Sequence, residues 1–296
     1  MTEPGLLAVH AHPDDEAILT GGVIARAAAQ GRRVDVVTCT GGERGEVVGA
    51  GFDPDAVRAR LAEVRASELA RALDILGAGP PRFLGYQDSG MMGEPSNDDP
   101  EAFWQASLDE AVGRLVGHIR AVRPAVLVTY DAHGGYGHPD HIQAHRVSLV
   151  AVEAAACPPL YEQAGAAWRV PKTYFATIPK SAIAAANWVL ADRGLPSPFG
   201  EITDVDALPL GTPDADITTT VDVRAWLDRK LAALKAHATQ LGPDSFFLNV
   251  PDDLAEGVFG TEWFVRHRCG VAVPTPEHDL FAGLAERAGA QTPPRA

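Results

Sequence analysis

Cysteine is scarce in this chain of 296 residues. Cys39, Cys157 and Cys269 lie far apart and form no C-x-x-C pair. So sparse and odd a set excludes a disulfide framework and a thiolate zinc site. Positive charge is also short, with 25 Lys and Arg against 39 Asp and Glu for a net charge of -14. That surface repels phosphate backbones, which excludes nucleic acid and anionic membranes as partners. No apolar run approaches the roughly 20 residues of a membrane span, and no basic segment leading into an apolar one opens the chain. The expectation is a cytoplasmic protein. The glycine-rich stretch "TGGERGEVVGAG" matches neither G-x-G-x-x-G nor G-x-x-x-x-G-K-[ST]. That disfavours a nucleotide-dependent oxidoreductase or transferase.

What is present is an ordinary globular composition, 46% hydrophobic and 22% charged, enough for a full-sized core. Apolar runs alternate with amphipathic stretches. Leu6–Val9 reads as a strand, "EAILTGGVIARAAAQ" as a helix stopped by Gly31, and "RVDVVTC" as a second strand. Asp53 and Pro54 cap a helix whose apolar face is Leu61, Val64, Leu69, Leu73 and Leu76, with Gly77 closing it. "RFLGY", the helix "FWQASLDEAVGRLVGHIRAV", the strand "AVLVTYD" and the helix "HPDHIQAHRVSLVAVEAAA" follow. The pattern implies an α/β, Rossmann-like fold with a mostly parallel sheet flanked by helices. Beyond it, "KTYFATIP" and "DITTTVDV" read as strands, "RAWLDRKLAALKAHATQ" as a helix, 194–216 as a long loop and "AQTPPRA" as a disordered tail. The division expected is a catalytic core over 1–165 and a smaller, dependent region over 166–296 that completes the sheet and caps the site.

Two polar clusters follow strands, where open α/β sheets bind ligands. "HAHPDDE" follows the first strand and "YDAHGGYGHPDH" the fourth. Together they offer His12, Asp15 and His141, a nitrogen and oxygen set suited to catalytic zinc. The same donors suit ferrous iron. Hydrolysis at such a site needs a base, and Asp14 adjoins the ligand Asp15. His138 can stabilise an oxyanion or protonate a leaving amine, with Asp140 holding it cationic. Each cluster alone reads equally well as a polar helix start. A non-catalytic carbohydrate-binding role would suit a chain without the base, and Asp14 is present. His237, on an amphipathic helix, reads as a packed or surface residue.

"AHPDDE" with a later "HPDH" resembles the PIG-L/LmbE family of zinc-dependent N-deacetylases, and within it the actinobacterial mycothiol branch. The likeness is strongest over 6–150 and returns at "ALKAHATQ". It implies zinc on His12, Asp15 and His141, Asp14 as general base, His138 at the oxyanion and Asp140 modulating it. It further implies that Tyr136 is a mobile phenol polarising the amide carbonyl, and that Glu46, Arg65, Asp88 and Met91 contact substrate. Without the resemblance, Arg65 reads as a solvated helix residue and Met91 as an exposed loop apolar. The implied reaction is deacetylation of an N-acetylglucosaminyl-inositol-like amino sugar. "GGYGHPDH" and "GEVVG" favour that reading, whereas "TGGERGE" and "HATQLGPDSFF" favour a mycothiol S-conjugate amidase. Another N-acetyl amino sugar of secondary metabolism is a third possibility.

Overall fold

The computed structural model describes residues 4–194, 201–242 and 245–284. The tail "AQTPPRA" and part of the loop expected over 194–216 lie outside them. In chain order the elements are β1 (Leu6–His10), α1 (Asp15–Ala29), β2 (Val34–Thr40), α2 (Pro54–Arg58), α3 (Leu61–Leu76) and β3 (Arg82–Tyr86). Then come α4 (Leu108–Val122), β4 (Val126–Thr129), α5 (Pro139–Ala155), β5 (Lys172–Thr177) and α6 (Lys180–Asp192). The last are β6 (Thr219–Asp222), α7 (Leu227–Ala236), α8 (Phe246–Asn249), α9 (Asp252–Phe259) and β7 (Thr261–Cys269).

The strands form one seven-stranded sheet in the order β3-β2-β1-β4-β5-β7-β6. The first five run parallel, and β7 lies antiparallel to both of its neighbours. β1, β2 and β4 are buried along their whole length, as parallel strands covered on both faces must be. Side chains alternate between faces, so Leu6 and Ala8 pack with Ile24, Leu69, Leu73 and Leu234 from α1, α3 and α7. Leu7 and Val9 pack on the other face with Leu115, Ile119 and Val147 from α4 and α5. After β1 the chain crosses to β2 on one side, and after β4 to β5 on the other. A crevice therefore opens between the carboxyl ends of β1 and β4, where both polar clusters emerge.

Three expectations need correction. The helix capped by Asp53 breaks at Arg60 (φ -131, ψ 23), so α2 and α3 are separate. The buried face of α3 carries Arg65 and Glu68 beside its leucines, while Val64 is half-buried. The helix expected from "FWQASL" starts only at Leu108, after a short turn at Phe103–Gln105. The strand β7 escapes sequence reading because its buried positions, Glu262 and Phe264, include a carboxylate paired with Lys230. Among the described residues no helix is long and apolar enough to cross a membrane.

Candidate active site

The β1–α1 junction is four residues long and tightly held. Ala11 donates its N–H to the Tyr130 hydroxyl at 2.8 Å, and its carbonyl accepts from the Thr40 N–H at 3.0 Å. The next turn sets Asp14 at φ 121 and ψ -32, a region that non-glycine residues avoid. Such strain costs about 1–3 kcal/mol and persists only where the surroundings over-determine it. Arg65 is one determinant. From α3 its Nη2 donates to the Pro13 carbonyl at 2.5 Å and to Asp14 Oδ2 at 3.1 Å, and its Nη1 to the Gly42 carbonyl at 2.5 Å. A Cβ at Gly42 (φ +65) would collide with that guanidinium. The glycine-rich stretch after β2 thus gives room to an arginine rather than to a phosphate.

The β4–α5 junction is longer and organises itself. The Asp131 carboxylate accepts N–H bonds from His133 at 2.9 Å and Gly135 at 3.0 Å. Gly134 takes φ +66, and a Cβ there would stand 2.5 Å from that of His141. Pro139 occupies the first turn of α5, and His138 Nδ1 accepts the Asp140 backbone N–H at 3.1 Å. With Nδ1 an acceptor, the neutral His138 ring carries its proton on Nε2.

Between the junctions three ligand atoms converge. His12 Nδ1 lies 3.5 Å from Asp15 Oδ2, His141 Nε2 lies 3.5 Å from the same oxygen, and the two nitrogens are 3.3 Å apart. A tetrahedral ion with bonds of about 2.0–2.1 Å spaces its ligands about 3.3–3.4 Å apart, so this triangle fits one. The ring atoms turned away are also anchored, as metal-binding histidines require. His12 Nε2 meets Asp140 Oδ2 at 3.1 Å, and His141 Nδ1 meets the Gly134 carbonyl at 3.1 Å. Two wider groups share His12: His138 with His141, and Asp88 with His138 and Asp140, each with ligand atoms within 4.8 Å. In the second, Asp140 is already occupied by His12, by the Ser89 N–H at 3.0 Å and by the Ser89 hydroxyl. Asp15 Oδ2 in the triangle is likewise held, by the His12 backbone N–H at 2.9 Å and the Tyr130 hydroxyl at 2.7 Å.

The field points the same way. Burial alone would lower the pKa of His12, but Asp88, Asp140 and Asp15 outweigh it and raise the value well above normal. The pocket favours positive charge at that point. Burial would raise Asp15, yet His141 and His12 hold it well below the usual carboxylate range. Asp14 is pushed up to about 6 by burial against the pull of Arg65. Burial and the neighbouring His12 and His141 lower His138 to about 3. Burial, helped by His12 against Asp15, lowers His141 to about 4.

A cleft of about 650 Å³ collects these groups, and its lining includes His12, Asp14, Asp15, Glu46, Arg65, Asp88, Met91, Tyr136, His138 and His141. Asp140 does not line it. The expectation that Asp140 holds His138 cationic fails: its carboxylate lies on His12 and Ser89, and His138 is kept neutral. Arg65 is buried rather than solvated, with Nη1 and Nη2 taken by the junction. Asp88 Oδ1 accepts from the Gly90 N–H at 2.8 Å and lies 3.7 Å from His12 Nε2. Tyr136 and Met91 are half-exposed at the rim, and Glu46 is exposed. An apolar annex of about 270 Å³ adjoins the cleft, reaching past Ile178, Leu210 and Phe247 to Phe246, Val258 and Trp263.

Sequence reading missed Tyr130, whose hydroxyl donates to Asp15 Oδ2 at 2.7 Å and whose ring stacks on His141 at 4.2 Å. Its place at the end of β4 was the available signal. It also left His237 without a role. That residue is wholly buried, with Nε2 at 2.7 Å from Glu16 Oε1.

A family described as PIG-L: GlcNAc-PI de-N-acetylase matches residues 7–152. A 1D-myo-inositol 2-acetamido-2-deoxy-alpha-D-glucopyranoside deacetylase of Geodermatophilus obscurus is 48% identical, over 94% of this chain and 97% of the relative. A protein of the same name from Acidothermus cellulolyticus is also 48% identical, over 94% of each chain. The solved N,N'-diacetylchitobiose deacetylase from Pyrococcus horikoshii aligns with TM-score 0.57 and 19% identity, over 86% of this chain and 73% of its own. GalB, a 4-carboxy-2-hydroxymuconate hydratase from Pseudomonas putida, aligns with TM-score 0.61 and 22% identity, over 92% and 99%. A deacetylase and a hydratase on one fold show that the fold alone does not choose the reaction.

Proposed function

This chain belongs to the PIG-L family of de-N-acetylases, and on that footing we propose that it removes the N-acetyl group from an N-acetylglucosaminyl-inositol-type amino sugar. The observation that carries the reading is the triangle of His12 Nδ1, Asp15 Oδ2 and His141 Nε2 beside Asp14 in one cleft. Those three residues would hold zinc, with ferrous iron the other ion the donors suit. A bound divalent cation supplies Lewis acidity toward the amide carbonyl and makes a water acidic enough to deprotonate near neutral pH.

Asp14 takes the proton of the attacking water. The hydroxyl adds to the acyl carbon, and the proton is then delivered to the nitrogen as the C–N bond breaks, releasing acetate and a free amine. The neutral His138 presents Nε2–H to the oxyanion. Tyr136, half-exposed at the rim, brings its phenol to the same oxygen as substrate enters. Asp140 acts through His12, which it orients, and Arg65 acts through Asp14. Glu46, Asp88 and Met91 form the wall that meets the sugar. Residues 166–296 serve as a cap, with Ile178, Leu210 and Phe247 on the cleft, and the setting is cytoplasmic.

One observation favours a second reading. The apolar annex beside the cleft suits an acyl group larger and greasier than acetyl, as in a mycothiol S-conjugate amidase. A free-amine assay on zinc-loaded protein separates the two. Faster release from N-acetylglucosaminyl-inositol than from a mycothiol S-conjugate supports the deacetylase, and the reverse order supports the amidase. Silence on both, against a metal-stripped control, moves the substrate to another N-acyl amino sugar.

A further inference from the structure

Asp14 is the only non-glycine cleft residue with positive φ among the described residues, and its restraints reach beyond its own junction. Its N–H donates to Glu16 Oε2 at 3.0 Å, and its carbonyl accepts from the Ala17 and Ile18 N–H groups. A glutamate in a first helical turn ordinarily keeps its oxygens in water near the helix dipole. Glu16 is instead wholly buried, and its other oxygen, Oε1, receives His237 Nε2 at 2.7 Å. Burying that carboxylate is tolerable only because both oxygens have donors. His237 is fixed in turn at the end of α7, its N–H on the Leu234 carbonyl and its own carbonyl accepting from Gln240 and Leu241. Two residues on, Thr239 donates its N–H and hydroxyl to the Glu68 carboxylate at 2.9 and 2.7 Å. The same turn thus braces α3, which carries Arg65.

We propose that Glu16 and His237 are positioning residues for Asp14: they hold its amide in the strained conformation that places the carboxylate in the cleft, so that turnover depends on a turn in the C-terminal region. This rests on the reading of Asp14 as the base. A restraint of this kind acts on the rate rather than on affinity, because a small misplacement of a reacting group weakens the transition state more than the bound substrate.

The test uses zinc-loaded full-length variants, with kcat, KM, zinc content and melting temperature measured for each. Glu16→Ala is expected to lower kcat about 10²-fold, with KM within about threefold and zinc content unchanged. Glu16→Gln keeps an acceptor for the Asp14 N–H and should recover most of that loss. The deciding measurement repeats Glu16→Ala in an Asp14→Asn background. A residue acting through Asp14 has nothing left to position there, so the residual rate should not fall further. Unchanged kcat in Glu16→Ala, or an equal loss in both backgrounds, overturns the positioning role and leaves the base reading standing. Full turnover in Asp14→Asn alone overturns the base reading and this proposal with it. Should Glu16→Ala fail to fold, His237→Leu against His237→Gln, whose amide nitrogen can replace imidazole Nε2, makes the same comparison.

Discussion

The two junctions that build the cleft are held in opposite ways. The β4–α5 junction is long, rich in positive-φ glycines and closed by its own Asp131. The β1–α1 junction is short and strained, and its restraints come from elsewhere: Arg65 on α3, Tyr130 after β4 and the Glu16–His237 pair. The long junction delivers His138 and His141 with Asp140 behind them, and the short one delivers His12, Asp14 and Asp15. Distant bracing is the physical answer to placing two adjacent carboxylates at fixed but different headings. Asp15 turns toward the histidines and Asp14 toward the open cleft, and no local turn motif supplies both.

Four outcomes break or sharpen that contrast. The largest separates the ligands from the base. His141→Ala, in the long junction, should lose bound zinc and turnover together, read by metal analysis beside the amine assay. Asp14→Asn, in the short one, should lower kcat about 10³-fold while zinc content stays near that of the parent. Zinc retained by the first variant, or turnover retained by the second, would reject the corresponding role.

Next is the contact that joins the junctions. Asp140 belongs to the second but orients His12 of the first. Asp140→Asn should therefore weaken zinc binding about 10–100-fold in a chelator competition. Unchanged zinc affinity with reduced kcat would instead return Asp140 to His138.

A pH profile gives the third. The base works ionised, and burial pushes the Asp14 carboxyl up to about 6. Activity should fall about tenfold per unit as pH drops below that midpoint. A bound cation favours the ionised form and moves the midpoint down, never up. His138 is already neutral at these pH values, with its pKa lowered to about 3 by burial and its histidine neighbours. The acid limb should persist in His138→Gln, and its disappearance there would assign the titration to His138. The smallest effect is at the rim, where Tyr136→Phe should cost about tenfold in kcat by removing one hydrogen bond to the developing charge. An unchanged kcat would leave Tyr136 as a wall residue.

Much of the site was legible before any coordinates. "HPDD" and "HPDH" each follow an apolar run, and the general rule for parallel sheets places both at one rim. Local spacing sufficed there because each cluster spans a single turn. The bonds of Arg65 to the Pro13 and Gly42 carbonyls are not legible in the sequence, since a guanidinium on an amphipathic helix gives no sign that a glycine loop has cleared a path for it. Pairing Asp140 with the nearby His138 fails because residues two apart at a helix start point their side chains apart. The strand β7 lacks a legible apolar pattern, because one of its buried positions is Glu262, neutralised only by Lys230 from α7.

By itself, the sequence determined the alternation of strands and helices, the fully buried parallel strands, and the chemical types gathered at two strand ends. These follow from period, turn chemistry and the cost of burying bare charge, all of which act over a few residues. Only the tertiary structure decided that β1 and β4 lie side by side, that His12 turns Nε2 toward Asp140, and that His237 reaches Glu16. Such pairings require atoms within about 3 Å from segments far apart in the chain. The packing of whole elements across the sheet sets those distances.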